Sequence, residues 1–329
     1  MHTASSHAGP ATALPREYVH KAAHSEVLLT GWRRSSADAY TVTAQWPRTH
    51  GFYRPSHQLH DPMLFVETVR QTIPLLSHVA YDVPFGHHLI WEHFSFSLAP
   101  ESMRSGAAPA EPVLHVSCTE IERRRGNLAA MTLQVRAERD GRHLGTATAR
   151  FTSHSPAIYQ RLRGSCGDLQ QALDSARPPA PGVMAHQVGR RLHEDVVLAP
   201  TKEKGRWRLR VDTEHPSLFD HPVDHAPGML LLEAARQAAH AVRSPRPVTA
   251  TAMQTRFHRY VELDAPSWIQ VTAGSTPDSL GFAVEQDDVV CFSGEITVSA
   301  SAVTSQLGLI PTQRGSAPGL VQRDLVPGA

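Results

Sequence analysis

The chain has no run of eighteen apolar residues anywhere in its 329, which excludes a conventional membrane-spanning helix. Its first fifteen residues, MHTASSHAGPATALP, lack both a basic start and an apolar core, so no secretory signal is expected and a soluble cytoplasmic protein is. Cysteine is scarce. Cys118, Cys166 and Cys291 lie far apart, form no CxxC spacing and leave one thiol over under any pairing, which excludes a disulfide framework and suits structural thiols in a reducing compartment. Net charge is only +1, so no global field favours nucleic acid or an anionic membrane, although local anion sites stay open. Histidine, by contrast, is abundant at 21. HPVDH gives His221 and His225 the i, i+4 spacing of helical metal ligands, but Pro222 and Pro227 make this segment a loop and spacing supplies no third ligand. No metal and no cofactor are therefore assigned.

What the chain does contain is a repeat. ETVRQT (67–72) returns as EAARQA (233–238), and Met63 falls on Met229 at the same offset. Upstream, VHKAAHSEVLL (19–29) lies over VGRRLHEDVVL (188–198), pairing His24 with His193 and Val27 with Val196. Between these, YTVTAQW (40–46) aligns with WRLRVDT (207–213), both alternating as half-buried strands do. Order kept with drifting offsets is what a duplication with small insertions leaves. After its helix each copy continues in strand-like runs, with hairpin turns expected at Asp140 and Gly141 in the first copy and at Asp287 and Asp288 in the second. One apolar helix per copy, followed by hairpin-linked strands, predicts an α+β fold in which a curved antiparallel sheet wraps around the helix. The expected divisions are a disordered start at 1–15, a first domain at 16–160, a polar, Pro-rich linker at 161–184, a second domain at 185–304 and a disordered tail at 305–329.

The stretch VDHAPGMLLLEAARQAAH (223–240) raises the functional question. After Pro227 and Gly228 it places apolar residues on nearly every face, so the helix is expected to be buried, yet Glu233, Arg236 and Gln237 share one stripe of it. The ordinary explanation is an intrahelical ion pair, worth about 0.2–0.5 kcal/mol on a helix surface. Against that stand the lack of a polar face and the return of the pattern as Glu67, Arg70 and Gln71. An unpaired buried ion costs several kcal/mol, so the repeated pattern calls for a reason. Copy one lacks the Pro-Gly pair before Met63 and carries Pro74, which is expected to end or kink its helix around the third turn. Asp224 is expected to cap the second helix.

DHAPGMLLLEAARQ, together with YVHKAAHSEVLLTGW, HDPMLFVETVRQT and VPFGHH, resembles the A-factor synthase (AfsA) family of γ-butyrolactone autoregulator synthases across residues 18–299. The resemblance implies two tandem hotdog domains forming a pseudo-dimer. It also implies transfer of a β-ketoacyl group from its acyl-carrier-protein thioester to the primary hydroxyl of dihydroxyacetone phosphate, on the way to a butenolide or furan signal. Glu67, Glu233 and Arg236 occupy the motif positions considered essential in that family. For such chemistry, burial is expected to raise a glutamate toward neutrality and suit it as a general base, Glu233 first and Glu67 second. Unpaired amides after Gly228, which has no Cβ to block approach, are expected to receive the oxyanion. Arg236 is expected to hold the phosphate bidentately. The Pro-Gly start thus places the chemistry mainly on Glu233 and Arg236.

Met229, Gln237 and His225 complete the expected substrate-facing set, His225 either lining the site or holding its loop. Arg70 and Gln71 either join it or act as structural partners across the pseudo-two-fold. Pairing of pseudo-dimers into a homo-oligomer stays open. The rival readings are a hotdog hydratase, dehydratase or thioesterase acting on acyl thioesters, and a non-catalytic ligand binder; the charge balance disfavours a DNA-binding regulator.

Overall fold

The alternating stretch at 40–46 folds as strand over most of its length and that at 207–213 only as far as Leu209, while the two apolar runs fold as the long helices. The computed structural model describes residues 12–300. The first copy runs β1 (Leu29–Ser36), β2 (Ala39–Ala44), α1 (Pro62–Tyr81), β3 (His88–Leu98), β4 (Val113–Arg124), β5 (Asn127–Arg139) and β6 (Arg142–His154). Two short helices follow, α2 (Pro156–Arg163) and α3 (Leu169–Asp174). The second copy repeats the plan as β7 (Leu198–Pro200), β8 (Arg206–Leu209), α4 (Gly228–Arg243), β9 (Val248–Phe257), β10 (Ser267–Ala273), β11 (Ser279–Gln286) and β12 (Val289–Ala300). The expected turns are in place: Asp140 and Gly141 both have positive φ, as do Asp287 and Asp288, the backbone a tight two-residue hairpin requires.

All twelve strands form one antiparallel sheet in the order β1-β2-β4-β5-β6-β3-β9-β12-β11-β10-β8-β7. Read from either edge, the order is the same sequence of roles, so the duplication is written into the sheet as a pseudo-two-fold. The copies join where β3 pairs with β9, from His93 opposite Arg256 to Ser97 opposite Ala252. This is the tandem hotdog arrangement, with α1 and α4 packed on the sheet within one shared apolar core.

Burial accounts for the helices' composition. Seventeen of the twenty residues of α1 are buried, so it has no solvent face on which charge would be free of cost. The expected ending at Pro74 is corrected: α1 continues seven residues beyond it to Tyr81. An internal proline costs about 3 kcal/mol or more. The buried side chains of Leu75, Leu76 and Tyr81 lie past it, and their packing offsets that cost.

The segment joining the copies is not wholly irregular. Ser155 caps α2 and Asp168 caps α3, each accepting a backbone N–H of the first turn. The expected disorder at 305–329 lies outside the described residues. Of the expected disordered start only residues 12–15 are described, and there the Leu14 N–H donates to the Leu29 carbonyl at 3.0 Å. Among the described residues no helix is long and apolar enough to cross a membrane.

Candidate active site

The repeated Glu-x-x-Arg-Gln pattern builds the same charged cluster twice. In the first, Glu67 accepts from Arg70 Nε at 3.0 Å on each oxygen and from Gln71 Nε2 at 2.9 Å, and Lys21 Nζ lies 3.1 Å from its Oε1. In the second, Glu233 accepts from Arg236 at 2.7 and 2.8 Å and from Gln237 at 2.6 Å, and Arg190 pairs with both oxygens at 2.8 and 2.6 Å. The arginines also reach back to equivalent carbonyls, Val19 for Arg70 and Val188 for Arg236. Gln71 clamps the Leu28 N–H and the Glu26 carbonyl; Gln237 does the same to Val197 and Asp195. Neither Lys21 nor Arg190 was singled out from sequence. The signal was present, since aligning Val19 with Val188 sets Lys21 on Arg190.

These cations overturn the expected protonation behaviour. Burial alone pushes a carboxyl up, and Glu233 is fully buried. Its two guanidinium partners more than offset this and hold it well below the usual carboxylate range. Glu67, also buried, is lowered for the same reason by Arg70 and Lys21, with Gln71 assisting. Both glutamates are therefore anions locked to cations, not carboxyls poised near neutrality.

The two clusters differ in what they face. A cavity of about 340 Å³ opens beside the first, with Glu67, Arg70 and Lys21 on one wall and Pro227, Gly228 and Met229 at the start of α4 on another. His225 lines it, as do His20, His88 and His221, while Leu89, Trp91, Leu218, Leu231 and Phe257 give it an apolar flank. Glu233, Arg236, Gln237 and Gln71 do not line this cavity. Arg236 instead borders a cleft of about 40 Å³ with Asp61, His60 and His240. Of Gly228 and Glu233, expected to serve one site, only Gly228 lines this cavity. Five residues along one helix they point about 140° apart, and the start of α4 opens toward the glutamate of α1.

The helix starts explain why the roomier opening lies beside the first cluster. At the repeat offset, Asp61 and Pro62 stand where the second copy has Pro227 and Gly228. Asp61 caps α1, accepting the Met63 N–H at 2.9 Å, and its other oxygen accepts Arg190 Nη1 at 2.8 Å. Arg190 thereby bridges the α1 start to Glu233 and fills the second pseudo-site with balanced charge. The start of α4 has Pro227 at the cap position and no side-chain cap, so its first amides face the cavity unclaimed by a side chain.

Asp224 does not cap α4, contrary to expectation, because Pro227 holds that position. It is buried, and its Oδ1 lies 2.6 Å from His225 Nδ1. Burial raises its carboxyl, but the hydrogen bond and charge of His225, with Tyr159 and Arg163, hold it well below the usual range. Tyr159 and Arg163 come from α2, a segment in which sequence reasoning placed no site residue.

The sequence matches the family described as the A-factor biosynthesis hotdog domain (AfsA) over residues 2–155 and 171–304. Three curated relatives named 2-oxo-3-(phosphooxy)propyl 3-oxoalkanoate synthase are similar along most of their length. That of Streptomyces virginiae is 44% identical, covering 86% of this chain and 96% of its own. That of Streptomyces coelicolor is 39% identical over 81% and 84%, and that of Streptomyces griseus 37% over 84% and 92%. Among solved structures, one described as an oleoyl thioesterase of Lactobacillus plantarum superposes with a TM-score of 0.50 at 12% identity, covering 80% of this chain and 96% of that one, a likeness of fold.

Proposed function

The chain belongs to the A-factor biosynthesis hotdog family, and from that premise we propose that it transfers a 3-oxoacyl group from a carrier-protein thioester to the free hydroxyl of dihydroxyacetone phosphate. The product is a 2-oxo-3-(phosphooxy)propyl 3-oxoalkanoate, the ester for which its relatives are named. The observation that carries this reading is the cavity of about 340 Å³, which combines an uncapped helix start, a cationic wall and an apolar flank.

Each feature answers one demand of the reaction. The developing oxyanion of the thioester carbonyl is received by the backbone amides at the start of α4, where the helix dipole is positive. Leu89, Trp91, Leu231 and Phe257 take the acyl chain. The phosphate lies against Arg70 and Lys21, which Glu67 orients. Arg70 spends Nε on Glu67 and Nη2 on Val19, which leaves Nη1 for the phosphate. Glu233, Arg236, Gln237 and Gln71 hold the helices to the segments at 19–28 and 188–197 rather than touching substrate.

The test is a reconstitution with a 3-oxoacyl carrier-protein thioester and dihydroxyacetone phosphate, with products read by mass spectrometry. The expected result is a phosphorylated 3-oxoacyl ester that forms only when both are present. Release of free 3-oxo acid at a rate indifferent to dihydroxyacetone phosphate would instead establish a thioesterase.

A further inference from the structure

Acyl transfer to an alcohol requires a group that removes the hydroxyl proton, and the glutamates of the two helices are poorly suited to it. Glu67 already accepts on both oxygens and is charge-paired to Arg70 and Lys21, which weakens it as a base. Glu233 does not line the cavity. Several histidines do, and three of them are poorly placed for the role. His20 is 2.8 Å from His78 through its Nε2, and burial pushes it down to about 3. His258 spends its Nε2 on Ser293. His221 pairs with Asp220 at 3.2 Å, but its side chain is 45% exposed and Asp220 is engaged by the Ala22 and Ala23 amides. A proton acceptor in open solvent gains little from the site around it.

We propose that His225 is the proton acceptor of this site, and that Asp224, Tyr159 and Arg163 are positioning residues that hold it. His225 lies on the cavity wall three residues before Gly228, with its side chain only 22% exposed. Its Nδ1 faces Asp224 Oδ1 at 2.6 Å, so Nε2 is the nitrogen left for substrate. Asp224 is fixed in turn: Tyr159 Oη donates to its two oxygens at 2.8 and 3.0 Å, and Arg163 Nε donates at 3.2 Å. Arg163 is itself held by Glu262 at 2.5 and 2.7 Å, and its guanidinium lies 4.0 Å from the Tyr260 ring. That ring packs edge-on to His225 at 4.7 Å, and His88 stacks on Tyr159 at 3.6 Å. The titratable groups around the pair are thus His88 from β3, Tyr159 and Arg163 from α2, and Tyr260 and Glu262 from the segment after β9.

Tyr159 and Arg163 stand at i and i+4 on α2, one face of a helix that begins directly after the first copy's last strand. The join between the copies is therefore part of the second copy's loop chemistry and not a spacer. The opposite pseudo-site has no such pair, since Asp61 there is spent on capping α1 and on Arg190.

The step, which rests on the acyl-transfer reading, balances as follows. The acceptor's hydroxyl proton moves to His225 Nε2 as its oxygen bonds to the thioester carbonyl carbon. The carbonyl electron pair moves onto oxygen, held by the α4 amides. Collapse of that intermediate breaks the C–S bond, and the departing thiolate takes the proton from the imidazolium. Asp224 stays an anion throughout and stabilises the imidazolium.

Steady-state rates of ester formation across pH, for wild type, His225→Gln, Asp224→Asn and Tyr159→Phe, test the proposal. His225→Gln is expected to lower kcat by 100-fold or more, with KM for both substrates and the melting temperature little changed, and its residual rate is expected to lose the wild-type acid limb. Asp224→Asn is expected to lower kcat about 10-fold or more with KM for both substrates little changed, because the carboxylate that orients the imidazole and stabilises the imidazolium is gone. Should Asp224→Asn fail to fold, Tyr159→Phe, which keeps the Arg163 contact, is expected to lower kcat by a smaller factor with KM for both substrates little changed. Ester formation by His225→Gln within threefold of wild type, or an unmoved acid limb in it, overturns the assignment. Ester formation by the wild type tests the acyl-transfer reading separately, so the two can fail independently.

Discussion

Gly228 shows how a single residue can be tolerant in the fold and exacting in the site. A Cβ built on it would meet Phe257 and Trp91 at 3.4–3.6 Å, ordinary contact distances, and its backbone is not in the left-handed region. Gly228→Ala should therefore fold, and removing a glycine from a helix start stabilises by about 0.4–1 kcal/mol through the unfolded chain. The added methyl would nevertheless stand among the aromatic residues of the cavity wall, where the thioester carbonyl must approach the amides. The expected outcome is an unchanged or slightly raised melting temperature with kcat/KM reduced roughly 10- to 100-fold, since small misplacements of reacting groups cost that much. Thermal melting and initial rates on the same preparation check it; a wild-type rate would remove Gly228 from the thioester end of the cavity. At this scale the sequence was partly legible. Gly228, Met229, Glu67, Arg70 and His225 all line the cavity, but Asp224 read as a cap because its distance from the helix was visible while its turn toward His225 was not.

At the scale of elements, the two charged clusters have one pattern and two fates. The Glu-x-x-Arg-Gln spacing alone cannot separate them, because the difference comes from residues brought in by other segments: Arg190 and the Asp61 cap close one cluster, while Lys21 leaves the other open. Glu233→Ala strands Arg190 and Arg236 in the core with only Asp61 to balance them. Breaking a buried pair in this way costs about 3–5 kcal/mol, so melting should fall by several degrees and activity with it. Replacing the whole buried network, Glu233→Leu, Arg190→Met and Arg236→Met with Asp61→Asn, which keeps a capping side chain on α1, removes two charges of each sign, and apolar replacements of similar volume are often near neutral. That fourfold variant is expected to regain most of the stability and, with it, the ester-forming rate. A stable but inactive fourfold variant would instead place this network in the chemistry. Glu67→Gln should behave oppositely, losing rate with little loss of melting temperature, since Lys21 keeps Glu26 as a partner at 3.8 Å.

At the scale of the molecule, the repeat disclosed two copies, the succession of strands about one helix in each and their hairpins, but neither the order of the strands in the sheet nor the join of β3 to β9. That pairing is non-local, and it is the join that turns the start of α4 toward Glu67 rather than Glu233. Folding also buries groups whose protons report on the whole structure. His20 and His240 are pushed down to about 3 and His60 to about 4, in each case chiefly by burial, so all three are neutral rings in the folded protein at pH 5. Unfolding frees them to titrate near 6.5, so between pH 6.5 and about 4 the unfolded chain binds more protons and stability falls as pH falls. Below about 4.5 the depressed carboxyls add to the same trend. Glu67, Glu233 and Asp224, with Asp220 at about 2, contribute stability that is present above their unfolded values and lost as pH drops toward their folded ones. Each proton taken up on unfolding gives a slope of about 1.4 kcal/mol per pH unit. Urea unfolding from pH 7 to pH 4 should therefore show a midpoint that falls through the histidine window and more steeply below 4.5. His240→Phe and His60→Phe, taken together, should flatten the upper part of that slope and leave the lower part in place. A midpoint flat from pH 6.5 to 5 in the wild type would mean that these rings are charged in the fold.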